Sequence, residues 1–298
     1  MLFIKAIALT GLAVSQVSAH GLITRVKGHN GIDMPGLTIQ DGVPRDCPSA
    51  ACGAQKDTAI IRDAEFGSVK ASPLGRTLGG GPVNPATVIN NFVSGGTQKR
   101  SRIPASHRRR QLINDAASIV TNAGGTVLNG IQDLADATPF GGTIKSIQST
   151  IDDAMAILPG TQSGTVTGKG AKENGMQMYS GKGASIGLPT ASPDGVVTMI
   201  FHQVNQDGAG PLSAEIDPSS GGTDPKAFKS ARVIQNIPGV AGFSTSSTMD
   251  YAVKVQVPQG MKCTATVGGA KNVCIVRVRN NAISGPFGGS AAFTQEQS

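Results

Sequence analysis

GVVTMIFHQV, at positions 195–204, decides the fold. It is dominated by β-branched and aromatic residues, and both of its faces are nearly apolar, as a strand buried on two sides requires. Residues 250–257 repeat the signal in a half-buried form. Tyr251, Val253, Val255 and Val257 alternate with Ala252, Lys254 and Gln256. A hairpin about Gly268-Gly269 follows, and 274–279 alternate again. Upstream, 20–26 read as a strand, 28–44 as turns with Pro35-Gly36 and Asp41-Gly42, and 58–98 as loops around short strands. These segments predict a mainly β protein, an antiparallel β-sandwich of the immunoglobulin or fibronectin type.

One stretch breaks the period. Ile144, Ile147, Ile151, Ala154, Met155 and Leu158 follow helical spacing between Gly142 and Pro159-Gly160. Weaker helical periods run through Leu112, Ala116, Ile119 and Val120, and through Val127, Ile131 and Leu134. The sandwich is therefore expected in two parts, 20–98 and 161–298, separated by a basic run and helical insertion at 99–160.

Met1–Lys5 is a short basic start, residues 6–14 are apolar but too short to span a bilayer, and Val17-Ser18-Ala19 is a small-residue cleavage site. Residues 1–19 thus read as a signal peptide, and the protein as secreted, with no later transmembrane segment. The net charge of +7 is local. Lys5 lies in the leader, and Lys99, Arg100, Arg102, Arg108, Arg109 and Arg110 form one run; the remaining 19 basic residues match the 19 acidic ones. Without a basic face carrying stacking aromatics, no nucleic-acid partner is expected. The run itself reads as a solvated arm or as paired-basic processing sites.

Four cysteines in an oxidising compartment predict two disulfides and allow three connectivities. Cys263 and Cys274 are symmetric about Gly268-Gly269, which favours their pairing and leaves Cys47 with Cys52.

Cleavage after Ala19 places His20 at the mature N-terminus, where its α-amino group and ring can chelate one metal. A second imidazole completes a three-nitrogen set suited to Cu(II). Of the 4 histidines, His107 lies in the cationic run and is discounted. His29 sits in a glycine-rich turn from which it could fold back toward His20. His202 ends the strongest strand and opens into a polar loop, the better second ligand. Phe287, Phe293 and Tyr179 are candidates to shield an axial position. Gly183-Ala184-Ser185-Ile186-Gly187 matches the nucleophile-elbow pattern, but its flanks supply neither the strand nor the helix that the elbow needs. The lysines of Gly168-Lys169 and Gly181-Lys182 lack phosphate-loop spacing.

HGLITRVKG at 20–28, MPGL at 34–37, NGMQMYSGKGASIGLP at 174–189, HQVNQDGAGP at 202–211 and VRVRNNAISGPFGG at 276–289 together resemble the Egh16-like family of secreted fungal virulence factors. That family includes appressorium-associated proteins of plant and insect pathogens. The resemblance implies a secreted fungal protein made during host penetration. Val278 and Ser290 stand where the family commonly has cysteines, and Ser213-Ala214 where another often lies. The termini also resemble those of lytic polysaccharide monooxygenases, whose N-terminal and second histidines bind copper on an immunoglobulin-like sandwich.

Three functions follow. One is a copper-dependent oxidase of wall or cuticle polysaccharide, with His20 and His202 as copper ligands and catalytic pair. Another is a non-catalytic effector that binds a fungal or host wall or host surface. The third is an adhesin acting through the 99–110 arm. With 2 Tyr and no Trp, the flat aromatic platform usual for glycans is sparse.

Overall fold

The computed structural model describes residues 20–95 and 163–295. The leader, the basic run, the expected insertion helices and His107 lie outside them.

The sheet is assembled around strand β7 (Val196–Gln203), the stretch whose apolar character is strongest. On one side it pairs antiparallel with β1 (Gly21–Lys27), on the other with β10 (Met249–Gln256). β1 turns back into β2 (Asp33–Pro35). From β10 the path continues through β9 (Lys229–Gln235), β8 (Ser213–Asp217), β12 (Ala270–Arg279) and β13 (Phe287–Phe293). It ends on three two-residue strands, β3 (Ala59–Ile60), β4 (Arg76–Thr77) and β5 (Gly81–Pro82). β6 (Thr165–Val166) adds to β10, and β11 (Ala265–Val267) forms the expected hairpin with β12 through Gly268-Gly269.

All these pairings are antiparallel, and they make one continuous sheet. An immunoglobulin-like sandwich does not follow from this topology, because β9 bonds to β10 on one side and to β8 on the other. The register slips between Lys254 and Val255, where the sheet turns. The sheet curls until β13 meets β1. A Cβ on Gly289 would lie 2.5 Å from the backbone nitrogen of Ile23, so the strands approach main chain to main chain. Leu37 N–H donates to Ser290 O at 2.9 Å across the same seam.

The curl encloses Phe201 and Met199 of β7, Tyr251, Val253 and Val255 of β10, Val276 of β12 and Phe293 of β13. Removing side chains of this size from water is worth about 1.5–3 kcal/mol each. A second, smaller apolar cluster lies on the other face of β1 and β7: Leu22, Val204, Ile39 and Ala54, with Cys47 and Met176 against it. That face is covered by residues 37–57 and by the short helix α2 (Gly175–Met178). Both disulfides form as favoured, Cys47–Cys52 and Cys263–Cys274.

Residues 58–82 hold the expected short strands among loops, β3 to β5, but a helix follows them that the expectation lacked. Pro85–Ser94 is helix α1, capped by the Asn84 side chain accepting from Ala86 N–H, opened by Pro85 and closed by Gly95 in the left-handed region. It buries Val88, Ile89 and Phe92. Gly183–Ile186 forms a further single turn, α3, so Ser185 lies on an exposed helical turn rather than an elbow.

Candidate functional site

Strand pairing builds the site. His202 is the direct partner of Leu22 on β1 and of Asp250 on β10. The ladder runs one step past β1, with Val204 N–H donating to His20 O at 2.9 Å. His20 and His202 are therefore diagonal neighbours on adjacent strands, a relation of roughly 7–8 Å between Cα atoms in an antiparallel pair. The loop after β7 then wraps the end of β1. Asn205 Oδ1 accepts from the backbone nitrogen of His20 at 2.8 Å. Gly208 lies against the His20 carbonyl, where an added Cβ would come within 2.0 Å. The His20 ring tilts at 33° over Phe287, with centroids 4.9 Å apart.

His202 is held from one side. Its Nδ1 is 2.7 Å from Asp250 Oδ1; a carboxylate oxygen accepts, so the Nδ1–H donates to it, and in the neutral ring Nε2 carries the lone pair. Nε2 is buried and has no hydrogen-bond partner among the described residues. A carboxylate behind one imidazole nitrogen, with the other uncommitted, is the arrangement that orients histidine ligands of metals. Both rings are enclosed, His20 at 1% and His202 at 0% exposure. No three or more His, Cys, Asp or Glu converge as a metal site among the described residues. A chelate through the His20 amine, ring and His202 needs two residues. In the unprocessed chain the His20 nitrogen is still a peptide nitrogen.

The other sequence candidates are elsewhere. β1 carries the chain from Gly21 to Lys27, with one register shift between Ile23 and Arg25, so His29 sits past its far end, exposed, on the order of 20 Å from His20 by strand rise. It does not fold back. Phe293 is at the distal end of β13, the partner of Cys274 and wholly within the core. Tyr179 packs against the core, with Lys182 Nζ 4.8 Å above its ring. Phe287 is the aromatic that reaches His20.

Sequence reasoning passed over Asp250, Asn205 and Asn280. Asp250 lies on the polar face of the alternating strand, which is legible; the register that sets it opposite His202 is not. Asn280 binds two loops together: its Nδ2 donates to Asp207 O and Ala209 O, and its Oδ1 accepts from Ala282 and Phe287 N–H.

Two buried cations hold the surroundings. Arg45 bonds both oxygens of Asp57 and also Glu173, tying the 37–57 cover to α2. Burial acts to lower its pKa, but Asp57 and then Glu173 outweigh that and hold it above the ordinary arginine value. Arg277 lies between the rings of Phe66 and Phe228 and pairs with Glu215; burial draws its pKa down. Burial also pushes the Asp207 carboxyl up.

Comparison with known proteins gives the chain its place. The model of the Egh16-like virulence factor family matches residues 18–288. The appressoria-specific virulence factor GAS2 of Pyricularia oryzae is 44% identical over 297 residues, covering 99% of this chain and 90% of that protein. The appressoria-specific virulence factor GAS1 of the same fungus is 41% identical over 106 residues, 35% of this chain and 41% of its own. No solved structure matches. On a family match running from residue 18 to 288 of 298, and on GAS2 along nearly its whole length, this protein belongs to the Egh16-like virulence factors.

Proposed function

We propose that this chain is a secreted infection factor that captures copper at its processed N-terminus. The His20 amine and ring and the His202 Nε2 would be the donors. The observation that carries the reading is the uncommitted, buried Nε2 of His202, with Asp250 fixing the opposite nitrogen, on the strand beside His20. The donor set of amine and two imidazoles suits Cu(II). When bound, copper would supply one-electron chemistry with oxygen or peroxide toward a wall or cuticle polysaccharide. The chain's own residues do the rest. Asn205 and Gly208 seat the N-terminus, Phe287 packs on the His20 ring, and Asp250 holds the His202 tautomer. Secretion fits the leader and the two disulfides, and no helix among the described residues is long and apolar enough to cross a membrane.

A non-catalytic effector that binds a wall or host surface is the second reading, favoured by the enclosure of both histidines, which keeps a polymer away from them. The deciding experiment is EPR of Cu(II) added to protein beginning at His20 and to protein with one extra residue before it. An axial, nitrogen-rich signal abolished by the extension supports the chelate. A signal indifferent to the extension refutes it. Oxidised glycan ends, lost in His202→Ala, then separate the oxidase from the effector.

A further inference from the structure

Beside the His20 end of the sheet, two turns display apolar side chains that the molecule does not use. Val240 and Phe243 hydrogen-bond to each other in both directions, at 2.9 and 3.0 Å. Ala241 and Gly242 between them have φ of 52° and 85°, the twist of a type I′ hairpin turn. Residues opposed in this way project to one side, and here they are 55% and 40% exposed. In the second turn Gly285 N–H donates to Ala282 O at 2.9 Å, which puts Ile283 at the corner, fully exposed. Turn corners ordinarily carry Gly, Pro, Asn, Asp or Ser, so a branched aliphatic there points to a use outside the fold.

The two turns touch. A Cβ on Gly242 would lie 2.8 Å from Ala282, so Val240, Phe243 and Ile283 border one patch. The frame is fixed: Gly242 N–H donates to Gly210 O, Ala209 N–H to Gly242 O, and Asn280 bolts 207–209 to 282–287. It also borders the site, because Phe287, where β13 leaves the second turn, packs on the His20 ring.

The charge pattern selects the partner. Residues 236–249 and 280–294 contain no Lys, Arg, Asp or Glu, and 203–214 contain Asp207 alone. Arg62 reaches the second turn, but its guanidinium is taken up by Gly285 O, Ser284 O and Glu65, so among the described residues no uncommitted cation stands beside these tips for a phosphate or an anionic lipid headgroup. The tips are convex and mainly aliphatic, suited to entering an alkyl layer rather than stacking flat on a sugar ring.

We infer that these loops form a docking surface for a neutral, long-chain aliphatic layer, such as a wax of alkanes or their esters. The surface would set the His20 end of the sheet against that layer, independently of any copper. Its strength comes from buried apolar area and owes nothing to ion pairing.

The test is adsorption of the mature protein to paraffin particles, with chitin particles alongside. Binding should be unchanged between low salt and about 0.5 M salt, where exposed charge pairs are screened. The V240S/F243S/I283S variant should lose about tenfold or more in adsorption, with melting temperature and Cu(II) EPR signal retained. V69S/L78S removes two exposed apolar side chains elsewhere and should adsorb normally. Equal losses in both variants, no loss in either, suppression by salt, or a loss confined to chitin would each overturn the inference.

Discussion

Oδ1 of Asp250 lies 2.7 Å from Nδ1 of His202, its direct partner across the β7–β10 ladder. The contact joins a half-exposed carboxylate to a wholly buried ring, so it can be cut without opening the core. Asp250→Ala should leave the fold intact while releasing the His202 tautomer. Such second-tier partners are worth about 10–100-fold in metal affinity. Competition titration of the mature protein against a Cu(II) chelator should show a loss in that range. Unchanged affinity would detach Asp250, and with it His202, from copper binding.

The Arg45 cluster should dominate the stability of the site's cover. Asp57 is fully buried and receives two bonds from Arg45, at 3.0 and 2.6 Å. Asp57→Ala leaves a buried guanidinium facing Glu173 alone. Breaking one partner of a buried pair costs about 3–5 kcal/mol, on the order of 10 °C in melting temperature for a chain this long. Calorimetry decides it, with a triple apolar replacement of Arg45, Asp57 and Glu173 as the comparison. The triple should cost less than Asp57→Ala, since no charge is then stranded.

Acid should act on two groups of carboxyls with opposite sign. The hydrogen bond from Arg76, with Arg62 assisting, holds Glu65 below its ordinary value, and the one from Arg279 does the same for Asp63. The unfolded chain then binds more protons. Their stabilisation is complete above the unfolded carboxylate range of about 4–4.5 and is lost as pH falls through the depressed native values. Asp63 is mostly exposed, so salt should blunt its share. Asp207 runs the other way: burial raises it, so its ionisation weakens the fold as pH climbs from the unfolded value toward the native one. Asp207→Asn should therefore raise the melting temperature at pH 7, and the gain should vanish below about pH 3.9. A constant difference across that range would mean the carboxyl is not strained by burial.

How much of this was legible follows from what each segment is made of. β7 and β10 announce themselves because valine, isoleucine and tyrosine alternate or cluster in strand period. β13 reads FGGSAAF and gives no such signal, yet every residue of it is buried. Gly289 is there because β1 comes too close for a side chain, and Gly288 because the main chain of β12 at Val278 and Arg279 does, tertiary facts that local composition does not encode. Helix α1 was readable. Asn84-Pro85 opens it, Val88, Ile89 and Phe92 set the period, and Gly95 closes it, but glycines on both sides give the stretch the composition of a loop. For the site, the two histidines stood out by position, and Phe287 by its place near the C-terminus. Asp250 and Asn205 did not, because their roles depend on pairing register and on a loop's return path.

The seam between β13 and β1 gives the most direct test of the curl. An alanine at position 289 would put its Cβ 2.5 Å from Ile23 N, and a main-chain atom cannot rotate aside. Gly289→Ala should cost about 1–3 kcal/mol by overpacking, read as a lower urea midpoint at unchanged slope. Gly168→Ala is the control: its Cβ would meet open space, and the change should stay within about 0.5 kcal/mol. The loss at 289 should be local as well as global. β1 carries His20 to Asn205, so parting the seam should speed amide exchange at Ile23 and weaken Cu(II) binding together. A variant that loses stability while keeping full copper affinity would show that the N-terminus is seated by Asn205 and Gly208 alone, without support from β13.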